Sequence, residues 1–466
     1  MRPFKKWFLI IASILLITIM SACGSDDGSD GGSNQSATGD SNTITIRVQS
    51  LSPETTRVEN IALAAEKLNE ELKAEGEDIQ IQVETDMYDG SSDDYAKQFM
   101  LAHQAKKEPD IYTTGHENIG WLADGNYILP LNELKDSEAY KDTFPLIWDA
   151  VTYKGEIWGA PQDMESRPVY YNKNLLRELG WTDEEIESLP EKVVNGEFTL
   201  DDMTRVAEEA VNKGIVENGI IHRPVEGTDF HAHIFNFGGT VYDSEQNKIV
   251  FDKPAVEKTL QYFDEITEKG LTPKDITQME WSNIHRTVVN GKTLFYYGGL
   301  WNVFNWADDP YHDELGKVDE EWVHENFGMM LIPASEKGGK PNTLSHPFVY
   351  TVSSNTEHFD YIVRLLEIVA DPEIQANHDV KTAHLPVTQS AAEHPDIKNN
   401  MTLGKATYML DYTTFVPNHK DFSAFSKAIF SAIQAVELDQ KTVEEAMNDL
   451  ETQLQNDLGD ELIIKE

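Results

Sequence analysis

Cysteine is almost absent: the 466 residues contain one, Cys23. A disulfide within the chain is therefore excluded, as is any paired-cysteine metal site. Basic residues are scarce as well, 38 Lys and Arg against 81 Asp and Glu, for a formal net charge of −43. No polyanion is attracted to such a surface, which excludes nucleic acid as a partner. Long apolar runs are also missing. The longest, residues 7–20, is interrupted by Ser13 and Thr18 and falls short of the ~20 residues that a membrane-spanning helix needs. No His-Glu-x-x-His, no ATP-binding motif and no tandem repeat occurs.

What is present begins with compartment. Arg2, Lys5 and Lys6 precede the apolar run, and Ser21, Ala22 and Cys23 follow it, the layout of a signal peptide with a lipobox. Residues 1–22 are thus expected to be removed and Cys23 to carry the acyl chains, palmitate included, which accounts for the position of the single thiol. Residues 23–43 are mostly Gly, Ser, Asp and Asn and cannot bury enough apolar surface to order themselves; a tether spanning about 25 Å as a coil is expected. The folded part would sit on the extracellular face of the cytoplasmic membrane, and the lack of an outer-membrane sorting signal points to a Gram-positive bacterium.

Beyond the tether, 40% apolar and 10% aromatic residues indicate a large core with the acid on its surface, and the length asks for at least two domains. Residues 44–49 (Ile-Thr-Ile-Arg-Val-Gln) alternate like a strand, residues 58–72 carry one apolar helical face, and residues 79–83 read as a second strand. Strand, helix, strand at this spacing predicts a βαβ unit and an α/β fold. Further strands are expected at 156–160, 169–172, 248–251, 293–297, 328–332 and 348–353, and helices at 94–104, 200–213, 255–269, 359–369 and 443–458. Thr182 and Thr199, each followed by acids, mark helix starts.

A series of motifs then occurs in a telling order: Pro109-Asp110-Ile111; Trp121-Leu122-Ala123; Gly155-Glu156-Ile157-Trp158-Gly159-Ala160-Pro161; Val169-Tyr170-Tyr171-Asn172-Lys173; Gly238-Gly239; Asn290-Gly291-Lys292-Thr293 through Gly299-Leu300-Trp301; and Thr442-Val443-Glu444-Glu445-Ala446. In this order the chain resembles bacterial extracellular solute-binding protein family 1, the maltose-binding-protein-like group. The resemblance implies a type II, two-lobed periplasmic-binding-protein-like fold, each lobe a doubly wound sheet, with the ligand in the cleft. Lobe 1 would comprise 44–160 and 353–390, lobe 2 would comprise 161–352 and 391–466, and crossings are expected near 160–164, 348–353 and 389–399. It further implies the binding component of an ABC importer: not an enzyme, without cofactor or metal, monomeric, closing on a carbohydrate, expected to be an oligosaccharide, and delivering it to permease subunits.

The same resemblance indicates ligand-binding residues. Glu165 follows the first crossing, Trp301 falls on a stacking position, and Glu117 matches an acidic sugar contact. Asp229 and Phe230 lie in a contact segment, and Ser50 and Ser52 follow the first strand. A sugar offers hydroxyls at its edge and an apolar face, so carboxylates beside an aromatic ring suit it. Thr114, Asn118 and Ser426 stand where the family example has Trp, Arg and Trp, which points away from a linear maltodextrin. Two rival readings come from the residues themselves. Asp163 and Glu165 form a carboxylate pair of the kind a glycoside hydrolase uses, and His222, His231 and His233 could hold a metal.

Overall fold

The computed structural model describes residues 42–466. The expected signal peptide, Cys23 and nearly all of the expected tether lie outside the described residues. The strands, in chain order, are β1 (Thr43–Leu51), β2 (Gln80–Tyr88), β3 (Ile111–Gly115), β4 (Thr152–Tyr153), β5 (Glu156–Ile157), β6 (Ala160–Pro161), β7 (Val169–Asn172), β8 (Asn218–Ile221), β9 (Tyr242–Asp243), β10 (Lys248–Asp252), β11 (Thr293–Tyr297), β12 (Phe327–Met330), β13 (Thr343–Ser345), β14 (Phe348–Val352), β15 (Thr413–Phe415) and β16 (Leu462–Lys465).

Alternation in β1 turns Ile46 and Val48 inward and leaves Arg47 out. The helix Thr56–Glu75 lays Val58, Ile61, Ala65, Leu68 and Leu72 on the same core, and Gly76 ends it in the left-handed region at φ 83°, which glycine adopts without a Cβ clash. β1 and β2 then pair in parallel, Ile46 opposite Val83, so the first βαβ unit is as expected. The first sheet runs β2-β1-β3-β14-β6 and a second runs β12-β7-β11-β8, each over its own buried cluster. A third, β16-β10-β9, is completed by the C-terminal strand. Capping boxes close the helix starts after Thr182, Thr199 and Thr442. No described helix is long and apolar enough to cross a membrane.

Two elements depart from the expected arrangement. Residues 156–160 do not form one strand; β5 turns back on β4, and β6 belongs to the first sheet. Phe348–Val352 is not a crossing. It is an inner strand, antiparallel to β3 and β6, and its successive residues Val349 and Tyr350 are both wholly buried, so both of its faces are covered; the chain crosses just before it, between β13 of the second lobe and β14 of the first sheet. Ala376, Ala383, Leu385 and Val387, expected in lobe 1, pack in the second core, while Val369 and Ala370 remain in the first. The same segment also meets the first lobe, through Thr56 Oγ1 and His378 Nδ1 at 2.8 Å and through a bridge between Thr143 and Thr388.

One contact fastens the loop 418–420 to the first sheet's helices. Asn418 donates to the carbonyls of Ala150 and Thr152, and its own carbonyl sits where a Cβ on Gly120 would be, at 2.0 Å. A Gly120→Ala substitution has nowhere to put the methyl. It should cost about 1–3 kcal/mol, read as a lowered urea midpoint with an unchanged denaturant slope.

Candidate functional site

The crossing from β6 to β7 carries Asp163, Glu165 and Arg167 at alternate positions, so these side chains share one face of an extended segment. Arg167 joins the other two features of the second lobe. One Nη donates to Glu165 Oε2 at 2.5 Å and the other to Asp229 Oδ1 at 2.6 Å, and its guanidinium lies 5.2 Å from the Trp301 ring centre. Arg223 pairs with the second Asp229 oxygen. Trp301 is presented by the turn after β11, whose backbone is held to the crossing through Gly298 N to Pro168 O and Leu300 N to Ser166 O. Its ring lies nearly parallel to that of His384, 17° apart with centres at 6.1 Å.

Beside Trp301 opens a recess of about 370 Å³, lined by Arg167, Arg223, Asp229, Trp281, Tyr296 and Trp301 among others, within the range of small-molecule sites. Aromatic faces alternate there with charged groups that neutralise one another. Burial would raise the Asp229 and Glu165 carboxyls, but Arg167 outweighs it and, with Arg223 at Asp229, holds both well below the usual carboxylate range.

A second charged group adjoins the first lobe. Glu117 follows the carboxyl end of β3, and its Oε2 lies 2.6 Å from His346 Nε2. Burial opposes both charges and is outweighed: His346 brings Glu117 down to about 2, and Glu117 with Glu165 brings His346 up to about 10. Deeper still, Asp163 is fully enclosed, 2.7 Å from Arg57 Nη1 and 2.8 Å from His378 Nε2, and Arg57 lies over the Phe348 ring at 3.8 Å.

Of the residues expected from sequence, Asp229 and Trp301 line the recess, and Glu165 joins it through Arg167. Glu117 lies at the first-lobe side, bound to His346. Two others point elsewhere. Phe230 is buried against Phe263 and His222, and Ser50 is wholly buried, its hydroxyl taken by Thr113 at 2.7 Å. The motif position located their segments but not the direction of their side chains. Ser52 is partly exposed, with its backbone N–H donating to Tyr88 O. Trp281, 39% exposed at the start of its helix, and His346 and His384 were not legible. An exposed tryptophan was the available signal for the first; nothing local marks the two histidines.

The rival readings meet specific geometry. Asp163 is paired with Arg57 and Glu165 with Arg167, so neither carboxyl has the raised pKa of a hydrolase's proton donor. His222 bonds Glu437 at 2.7 Å, His231 bonds Ser426 at 3.1 Å, and His233 stacks on Tyr262, so the three histidines have three separate partners.

A family model described as bacterial extracellular solute-binding protein matches residues 65–405. The maltotriose-binding protein of Pyrococcus abyssi is 20% identical over 380 residues, 81% of this chain and 75% of that one. The maltodextrin-binding protein MdxE of Bacillus subtilis is 20% identical over 459 residues, 95% and 96% of the two chains. Among solved structures, the sugar-binding protein MalE of Xanthomonas citri superposes with a TM-score of 0.72 at 18% identity, over 89% of this chain and 97% of that one. The cyclic alpha-maltosyl-1,6-maltose binding protein of Arthrobacter globiformis gives 0.70 at 16% identity, over 89% and 99%. These likenesses show the α/β, two-lobed fold of the maltose-binding-protein type. With the family model covering most of its length, the chain belongs to the bacterial extracellular solute-binding protein family.

Proposed function

We propose that this protein is the substrate-binding component of an ABC importer for a neutral oligosaccharide, held in the recess beside Trp301 and passed to membrane permease subunits. The observation that carries the reading is the pairing of aromatic faces with internally neutralised charges. Trp281 and Trp301 offer surfaces for the apolar face of a sugar ring, while Arg167 and Arg223, balanced by Asp229 and Glu165, offer hydrogen bonds to hydroxyls without leaving a net charge that would demand an ionic ligand. The sugar specificities in the names of the Pyrococcus abyssi and Bacillus subtilis relatives support the same class.

The glycan differs from a linear maltodextrin. Asn118 is engaged with Thr114 and the Trp121 indole, and Ser426 bonds Glu226 and His231, so these positions supply no stacking ring. Binding occurs without catalysis. The protein acts as a monomer, anchored through acylated Cys23 to the outer face of the cytoplasmic membrane of a Gram-positive bacterium; a relative named as a maltooligosaccharide ABC transporter solute-binding lipoprotein, from Streptococcus pneumoniae, supports the anchor.

The test is thermal melting against neutral glycans, acidic sugars, amino acids and peptides. One neutral glycan class should raise the melting point, since a ligand at one hundred times its Kd stabilises by about 2.7 kcal/mol. For that glycan, Trp301→Ala should weaken binding about 5- to 30-fold, the loss of about 1–2 kcal/mol of stacking, measured by calorimetry. Unchanged affinity removes Trp301 from the site, and a response only to peptides or anions removes the carbohydrate reading.

A further inference from the structure

His116 occupies the turn directly after β3 and is wholly buried. Its Nε2 lies 2.8 Å from the Val416 carbonyl oxygen. A carbonyl only accepts, so Nε2 carries the proton and, in the neutral ring, Nδ1 bears the lone pair. That Nδ1 is buried without a hydrogen-bond partner. It faces Glu117 Oε2 at 3.7 Å, and this oxygen also makes no aligned hydrogen bond, although His346 Nε2 approaches it to 2.6 Å. Two imidazole nitrogens and a carboxylate oxygen thus converge, all within 4.8 Å of one another. Space for the approach comes from Gly115, where a Cβ would lie 2.4 Å from Glu117 Oε2 and 2.6 Å from His346 Nε2.

We propose that His116 Nδ1, Glu117 Oε2 and His346 Nε2 bind one divalent ion of zinc type. The ligand chemistry, two imidazoles and one carboxylate, is that of three-ligand zinc sites. Bonds of about 2.0–2.1 Å in a tetrahedron place ligand atoms roughly 3.4 Å apart, and the observed separations of 2.6 and 3.7 Å bracket that value. The outer contact of His116 is of the kind that orients metal-binding imidazoles, a backbone carbonyl on its other nitrogen, and the Glu165 carboxylate lies near His346 Nδ1, at 3.8 Å, beyond hydrogen-bond reach. Glu117 and His346 keep 23% and 15% of their side chains exposed, leaving a fourth position open on that side. In the metal-free chain, the His346 and Glu117 contact serves as an ion pair.

The cluster of Asp163, His378 and His384 is a poor competitor, because Arg57 Nη1 stands 2.7 Å from Asp163 and repels a cation. Since His116 and Glu117 follow the first sheet and His346 lies on a crossing between the lobes, the ion ties one lobe to that crossing. The inference does not depend on which solute the recess takes.

The experiment titrates Zn²⁺ into the chelator-treated, purified full chain by calorimetry, with Glu117→Gln, His346→Gln and, as a control, His394→Gln. One equivalent should bind, at least about 100-fold more weakly in each of the first two variants and unchanged in the control. Co²⁺ on the unsubstituted protein should give a visible absorption band of tetrahedral intensity, a readout that does not depend on any variant folding. No zinc bound at roughly 100 μM by protein of native circular dichroism, affinity indifferent to both ligand substitutions, or the absence of the Co²⁺ band would each overturn the site. Glycan binding measured in chelator reports on the transport reading separately.

Discussion

Replacing Arg167 with methionine should destabilise the protein by about 3–5 kcal/mol, the cost of breaking one side of a buried ion-pair network. The methionine fills most of the volume, so the loss is electrostatic rather than a cavity effect. Arg167 has only 11% of its side chain exposed, as has Glu165 with 10%. Without the guanidinium, Glu165 keeps only the imidazoles of His346 and His384, both 3.8 Å away, and Asp229 keeps only Arg223. Contrast the Lys141 and Glu138 pair, with 66% and 90% of the side chains exposed, whose removal should leave the urea midpoint almost unchanged because solvent screens both charges. A double-mutant cycle separates the contributions: Asp229→Asn in the Arg167→Met background removes a stranded charge, so the combined loss should be smaller than the sum of the two single losses. Additive losses in urea denaturation would show that Asp229 and Arg167 are not coupled.

Lowering the pH from about 6.5 towards 3 should remove stability at a rate set by buried neutral histidines. His231 and His233 are enclosed. Burial, opposed in part by Asp229, holds each at about 3, against roughly 6.5 in the unfolded chain. The sign follows from proton uptake: between those two values the unfolded chain binds the proton and the folded one does not, so each fall in pH favours unfolding. The contribution is intact above about 6.5 and declines by about 1.4 kcal/mol per pH unit for each group, on the order of 5 kcal/mol for the two at pH 4.5. His285 and His324, both at about 4, steepen the same slope, whereas His384, which the carboxylates raise, is protonated in both states below about 6.5 and adds nothing to it. Asp229 and Glu165, held low, weaken the fold only from the unfolded carboxylate range downward, while Asp379, which burial and Asp163 hold well above that range, takes up its proton in the fold first and offsets part of the histidine slope. In His233→Phe the ring stacked on Tyr262 at 5.0 Å is retained without its titration. Its stability should fall with pH by about 1.4 kcal/mol per unit less than that of the unsubstituted protein; an identical slope would mean that His233 is protonated in the fold.

Local patterns carried much of this molecule. The period-two alternation of β1, the apolar stripe of the helix Thr56–Glu75 and the capping threonines were legible because each element is specified by its own residues. The helix Phe422–Glu437 was not read as one, since Phe, Ala, Ile and Val fall on several of its faces and blur the period that betrays a half-exposed helix. Glu165, Asp229 and Trp301 could be singled out because they sit inside ordered motifs. Phe230 and Ser50 were singled out on the same grounds, and their side chains turn into the packing.

Sequence alone therefore determined the composition that excludes disulfides and nucleic acid, the βαβ beginning and the family resemblance, all of which depend on residue type and order. Tertiary structure decided which charges are partners. His346 meets Glu117 from more than two hundred residues away, Asp229 meets Arg167 across sixty-two, and Arg57 meets Asp163 across more than one hundred. No local period encodes such distances; they arise when the crossings bring two separate cores together, and the low dielectric there makes the choice of partner decide each charge.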